Sequence, residues 1–242
     1  MKKRALAYLI VLFLCGCYED SFVHPTTDNA SYSFVANYSL SFDKVERPKS
    51  FNDRYSQIKT DTAVNNHKYN FYFEDSVLQI LWRVNQDAIG FYMNNKTDHS
   101  LKIVWDEAAF VDQNGTTHRV MHQGIKYTDR DQTQPPSIVV RKGNYGDIIE
   151  PTDYVSFRER TEYSSGGWEE KPILEYFDSH YNSAFTHQEG KYPTLEAFTT
   201  AVKANVGKSI QVLLPIRIEE TTNDYIFTFK IDSLSTKTEP MK

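Results

Sequence analysis

Cysteine is almost missing from this chain: two in 242 residues, at Cys15 and Cys17. That excludes a disulfide-stapled scaffold and a cysteine-rich zinc module. Cationic residues are in deficit, 27 Lys and Arg against 32 Asp and Glu. A nucleic-acid binder needs the opposite balance to neutralise phosphates, so nucleic acid is excluded as a partner. No apolar run reaches the roughly 20 residues that span a bilayer; the run at the N-terminus, Ala5 to Leu14, has ten. Chemical motifs are missing too. There is no Gly-x-Ser-x-Gly elbow, no phosphate loop and no dinucleotide glycine fingerprint, so no catalytic residue and no cofactor is expected. What the chain has in plenty is aromatics, 16 Tyr, 15 Phe and 3 Trp. With 40% apolar residues it can bury a core.

The first seventeen residues carry an address. Lys2, Lys3 and Arg4 precede the short apolar run, which is the pattern of a secretory signal. The run ends in Leu14-Cys15-Gly16-Cys17, which resembles the lipobox of bacterial lipoproteins. The resemblance implies that signal peptidase II cuts before Cys17, whose thiol takes a diacylglyceryl group and whose freed amine is acylated. Tyr18, where Asp would signal inner-membrane retention, implies the outer membrane. Glu19 and Asp20 are similar to the acidic pair of surface-exported lipoproteins, so the periplasmic and surface faces both stay open. Cleavage would leave 226 of the 242 residues and shift the formal charge from −5 to −8, because three cations leave with residues 1–16. The membrane is then a partner through acyl chains on Cys17, each buried methylene contributing about 0.8 kcal/mol.

Three parts follow: a signal peptide at 1–16, a lipidated polar tether at 17–31 and a single domain at 32–242. Within the domain, a strand is expected from Tyr32 to Phe42, then a polar stretch at 43–68 with a short helix around 50–58. Period-2 alternation then dominates. Tyr69, Phe71 and Phe73 form one stripe, followed by Leu78, Ile80, Trp82 and Val84. Ile89, Phe91 and Met93 follow, stopping at a polar turn over 94–98, and Leu101, Ile103 and Trp105 come next. Asp112-Gln113-Asn114-Gly115 separates two further runs and is a hairpin signal. The pattern predicts a meander of consecutive antiparallel strands. Residues 122–147 and 159–172 read as irregular inserts, the first hiding a short strand near 137–140, with strand character between them at 153–158. Thr194 to Asn205 reads as a helix, with Gly207 as its left-handed stop. Ile210 to Ile218 and Tyr225 to Ile231 answer each other as strands. Pro215 inside the first argues for an edge position or a bulge.

The expected fold is mainly β: an antiparallel immunoglobulin-like β-sandwich with long irregular inserts and one short helix near 194–205. The stretch from Asn95 to Val120 looks like parts of immunoglobulin-like lipoprotein domains. That resemblance implies a fold class and no functional residue.

His118 and His122, with Asp112 near, do not read as a metal site. An extended chain puts residues four apart about 13 Å from each other. Asp129, Asp131, Glu169 and Glu170 read as a solvated acidic surface rather than paired catalytic carboxylates. Trp105 and Phe229 are expected in the core. The aromatics in or near the inserts are Tyr127, Tyr145, Tyr154, Tyr163, Trp168, Tyr176 and Tyr181. They either pin long loops or recognise a ligand, and Trp168 and Tyr163 are the recognition candidates. The expected function is a non-enzymatic lipoprotein of the bacterial outer membrane that works through binding or assembly contacts with another envelope protein or a glycan. A carbohydrate-binding module and an envelope hydrolase are the alternatives.

Overall fold

Alternation becomes strand where it is strongest. The computed structural model describes residues 32–47, 59–65, 68–163, 165–174 and 195–240. The signal segment, Cys17, the tether and the helix expected near 50–58 lie outside them. Strand β1 runs Tyr32–Glu46, β2 Lys59–Asn65, β3 Lys68–Glu74, β4 Leu78–Val84 and β5 Ile89–Asn95. Leu78, Ile80, Trp82 and Val84 on β4, and Ile89, Phe91 and Met93 on β5, all point inward and are buried. Strands β2 to β5 pair in sequence order, as a meander should. The end of β5 overruns the expected turn. Asn95 is buried, and its side-chain amide donates to the carbonyls of His99, Val139 and Val140 while its Oδ1 accepts from Thr97. A side chain that satisfies a turn from inside a strand is invisible to a rule that reads Asn as loop.

The meander then breaks. Strand β6 (Leu101–Ile103) leaves β5 and pairs with β9 (Ser137–Val139) and β13 (Ser209–Ile218). The neighbour of β5 is instead β10 (Asn144–Pro151). β9 is the short strand expected near 137–140, while β10 corrects the reading of the end of the 122–147 insert as irregular. Asn144, Gly146 and Asp147 hide the pattern, while Ile149 and Pro151 face inward. β7 (Ala109–Val111) and β8 (Thr117–His122) form the expected hairpin, with Phe110 opposite His118. Asp112 Oδ1 accepts the N–H groups of Asn114 and Thr116, and Gly115 takes φ 82°, a conformation that disfavours a side chain. β11 (Val155–Arg158), where strand was expected, pairs among the described residues only with β12 (Gly167–Glu170), so the second insert supplies one strand of a two-stranded ribbon.

Near the C-terminus, helix α1 (Leu195–Lys203) buries Phe198 and Val202. Gly207 follows at φ 87° and donates to the carbonyl of Ile231. β13 pairs along its length with β14 (Thr221–Pro240), which also pairs with β1. Pro215 is neither on an edge strand nor at a bulge. On its free side β13 meets β7 at Gln211–Leu213 and β6 at Ile216–Ile218, and Pro215 falls between the two. Its carbonyl accepts from Val104 at 3.0 Å, so its missing N–H faces the interruption, where no ladder bond is lost.

The hydrogen-bonded order is β1-β14-β13-β7-β8-β10-β5-β4-β3-β2, antiparallel throughout, with β6 and β9 as a side branch. β8 pairs with β7 on one side and β10 on the other, so it is the corner between two halves. Those halves face each other. Phe227 of β14 lies 4.8 Å from Trp82 and 5.5 Å from Phe73, and Phe229 lies 5.1 Å from Phe71. β1 and β2, at opposite ends of the order, approach without a ladder among the described residues, leaving a nearly closed barrel. The fold is therefore mainly β and antiparallel, with one α-helix among the described residues, and Trp105 and Phe229 are fully buried.

Candidate functional site

On β5 and β10 the outward positions matter most. Because Ile89, Phe91 and Met93 fill the interior, Gly90 and Tyr92 face out; because Asp147 and Ile149 point in, Gly146 and Ile148 face out. The register sets Gly90 opposite Ile148 and Gly146 opposite Tyr92, so the two glycines lie diagonally on one face. Glycine inside a strand costs roughly 0.5–1 kcal/mol relative to Ala. It often marks a place where a ligand or another backbone comes close. Here neither glycine has a positive φ, and an added Cβ would meet only ordinary contacts at 3.5 Å. Backbone geometry does not require them. What they create is a trough of about 530 Å³, whose lining includes Arg83, Asn85, Tyr92, Gln123 and Ile148. Tyr92 is 51% exposed beside it.

Gln123 and Ile148 also line a second hollow of about 340 Å³, with His122, Ile125, Tyr127 and Glu150. Beyond Tyr127 comes the β11–β12 ribbon. Trp168 is 39% exposed and meets Tyr127 at 5.4 Å and Phe157 at 5.3 Å, both edge-on, while the Arg130 guanidinium sits 5.5 Å over its ring. Phe157 is 58% exposed. The Tyr127 hydroxyl donates to Glu170, and that bond, burial and the charge of Glu150 all push the phenol upward from its ordinary value. Glu150 is itself raised, by burial first and by the charge of Glu170 second.

Beneath the trough a polar chain crosses the core. The Trp105 indole N–H donates to Ser137 at 2.8 Å, Ser137 bonds the Tyr145 hydroxyl at 2.8 Å, and Tyr145 donates to Asp147. His122 Nδ1 meets the same carboxylate at 3.1 Å, and its ring stacks on Trp105 at 4.5 Å, closing the circuit. Asp147 also accepts the backbone N–H groups of Gln123 and Ile148. Burial, then the bond to Asp147, pushes the Tyr145 phenol up to about 12. A buried network centred on one carboxylate with four partners fixes the wall between trough and hollow.

No protein-family model, curated protein or solved structure matches the chain. The site therefore has to be argued from its own geometry.

Of the residues singled out from sequence, Trp168 and Tyr163 share the ribbon segment, and Tyr163 is 94% exposed. Tyr127 joins Trp168. Tyr145 and Tyr154 do not; Tyr145 belongs to the buried network, and Tyr154 packs against His118 at 5.0 Å. Tyr176 and Tyr181 lie outside the described residues. His118 and His122 each take a separate carboxylate, Asp153 at 2.8 Å and Asp147 at 3.1 Å. No group of three or more metal-ligating side chains occurs among the described residues. The four acidic residues do not pair. Glu169 binds Arg158, Glu170 accepts from Tyr127, and Asp131 lies 4.0 Å from Arg130. Sequence reading missed Tyr92, Gln123, Glu150 and the two trough glycines. The available signal was glycine at an outward position of a strand whose inward positions are all apolar.

Proposed function

We propose that this chain is a non-enzymatic recognition module, held at the bacterial outer membrane by lipid on Cys17, that binds a partner along the trough and the ribbon beyond it. One observation carries the binding half: the glycine-floored trough, the hollow and the exposed Trp168 cluster follow one another on a single face, linked by shared lining residues. Aromatic side chains with one wet edge suit protein and glycan partners alike. The anchoring half rests on the order of charge, apolar run, small residue and cysteine in residues 1–17. An immunoglobulin-like sandwich remains our reading of the two facing halves; it is supported by their aromatic contact across the core and by the β7–β8 hairpin.

Metabolic labelling with a clickable fatty acid tests the anchor. Label should be lost in Cys17→Ser, and label that persists contradicts the lipoprotein reading. A photo-cross-linking side chain at Tyr92 tests the face, and adducts should form there in intact cells. The glycan reading is favoured by the exposure of Tyr163 and Trp168 on one ribbon segment. A glycan array decides it: a sugar bound by the native chain and lost in both Trp168→Ala and Tyr163→Ala supports a carbohydrate-binding module, and no bound sugar removes it.

A further inference from the structure

The hollow next to the trough has an acidic side chain without an ion partner among the described residues. Asp147 already receives two backbone N–H groups and the Tyr145 hydroxyl. His122 meets the same carboxylate through Nδ1 at 3.1 Å. Glu150, on the same lining, is half-buried, and its carboxylate makes no hydrogen bond or ion pair among the described residues. The Tyr127 hydroxyl, a potential donor, is already given to Glu170. A half-buried carboxylate with no protein partner gains from an incoming charged donor. The remaining walls are Gln123, Gly124, Ile125, Ile148 and Tyr127.

A donor-rich cation with a flat apolar face fits this set. A guanidinium offers five N–H donors, is weakly hydrated and stacks on aromatic rings, whereas an ammonium is a strongly hydrated point charge. The chain already seats its own Arg130 over Trp168 beside the hollow. We infer that the hollow formed by His122, Ile125, Tyr127, Ile148 and Glu150 binds a guanidinium group, the side chain of an arginine on a protein partner that lies along the trough. Glu150 is its ion partner and the Tyr127 ring its stacking surface. A hollow of about 340 Å³ has room for the whole side chain, and the adjoining trough gives the flanking backbone a flat floor over Gly90 and Gly146. This inference rests on the recognition reading and narrows its partner to an arginine-bearing protein.

The test titrates the full chain in detergent with Ac-Ala-Arg-Ala-NH2, its citrulline counterpart and methylguanidinium, read by calorimetry. Citrulline keeps the shape and removes the charge. The arginyl peptide should bind saturably and at least tenfold more tightly than the citrulline peptide. Glu150→Gln keeps size, should melt like the parent, and should bring arginyl binding down to the citrulline level. Lys126→Ala, which removes an exposed lysine from the same loop, should leave it unchanged. Equal binding of the two peptides, no binding, or an unaffected Glu150→Gln variant would overturn the inference. Methylguanidinium binding more tightly than the peptide would overturn it too, by making this a site for free guanidino compounds. If cross-linking at Tyr92 persists while the arginyl peptide fails, only this inference falls; if both fail, the recognition reading falls with it.

Discussion

The three tryptophans belong to two kinds of place. Trp82 and Trp105 are fully buried, Trp82 among Phe91, Phe227 and Phe229, and Trp105 against His122. Trp168 has comparable ring contacts, with Tyr127 and Phe157, yet it and Phe157 stay open to solvent. The same pair geometry therefore serves two ends. In the interior, rings exclude water from both sides and their burial stabilises the barrel. On the ribbon they are held in place with an apolar face left over, and a leftover face is available to a partner.

The largest way to probe the interior side of that comparison is polar. Asp75 is buried, binds Arg47 at 2.7 Å, accepts the Tyr225 hydroxyl at 3.0 Å and takes the N–H groups of Val77 and Leu78. Asp75→Ala removes the carboxylate of a buried ion pair and the acceptor of three further hydrogen bonds, and should cost about 3–5 kcal/mol in denaturant melts. Trp82→Ala should cost a similar amount, about 3–5 kcal/mol, by leaving a cavity. Trp168→Ala should cost no more than about 1–2 kcal/mol, the worth of its edge-on and cation–π contacts. Equal losses for the two tryptophan variants would erase the distinction.

A gain comes next. Gly90→Ala should raise stability by roughly 0.5–1 kcal/mol, since a strand tolerates the new methyl and the nearest atom, the Asp147 carbonyl, is 3.5 Å away. The same change shallows the trough and should weaken cross-linking from Tyr92. A variant that is more stable and binds less is the signature of a glycine kept for function.

The smallest effect concerns acid. Burial pushes the Asp112 carboxyl up, but the N–H groups of Thr116 and Asn114, together with His118, outweigh it and hold the group below its ordinary value. A carboxyl lowered in the folded state contributes stability above its unfolded pKa, near 3.9, and loses it as pH falls through the folded value. Asp112→Asn should therefore flatten the acid limb of the stability curve below about pH 4. A limb that keeps its slope places the acid response elsewhere.

Much of the barrel was legible because its strands are half-buried and alternate cleanly. Leu78 to Val84, Ile89 to Met93, Ile210 to Ile218 and Tyr225 to Ile231 needed only the period of two, and Phe198 and Val202 needed only the helical period. What escaped was each strand whose polar side chain is satisfied from within. β10 carries Asp147 inward, acceptable only because Tyr145, His122, Gln123 and Ile148 all serve it. Pro215 looked like an edge residue because the gap between β6 and β7 is a property of tertiary pairing. The ribbon was hidden by Gly166 and Gly167, both at positive φ. The site was legible only as Trp168 and Tyr163; the trough needed the register that sets Gly90 and Gly146 on one face.

The central claim is that this chain meets its partner on the trough and ribbon face. The most direct measurement places a photo-cross-linking side chain, in intact cells, at Tyr92, at Trp168 or at Lys230. Lys230 is exposed on β14, whose inner face looks across the core at β3 and β4, so it reports the opposite side. Adducts of one shared mass from Tyr92 and Trp168, with none from Lys230, are the expected result. Adducts from Lys230 alone, or none from Tyr92 and Trp168, would contradict the account.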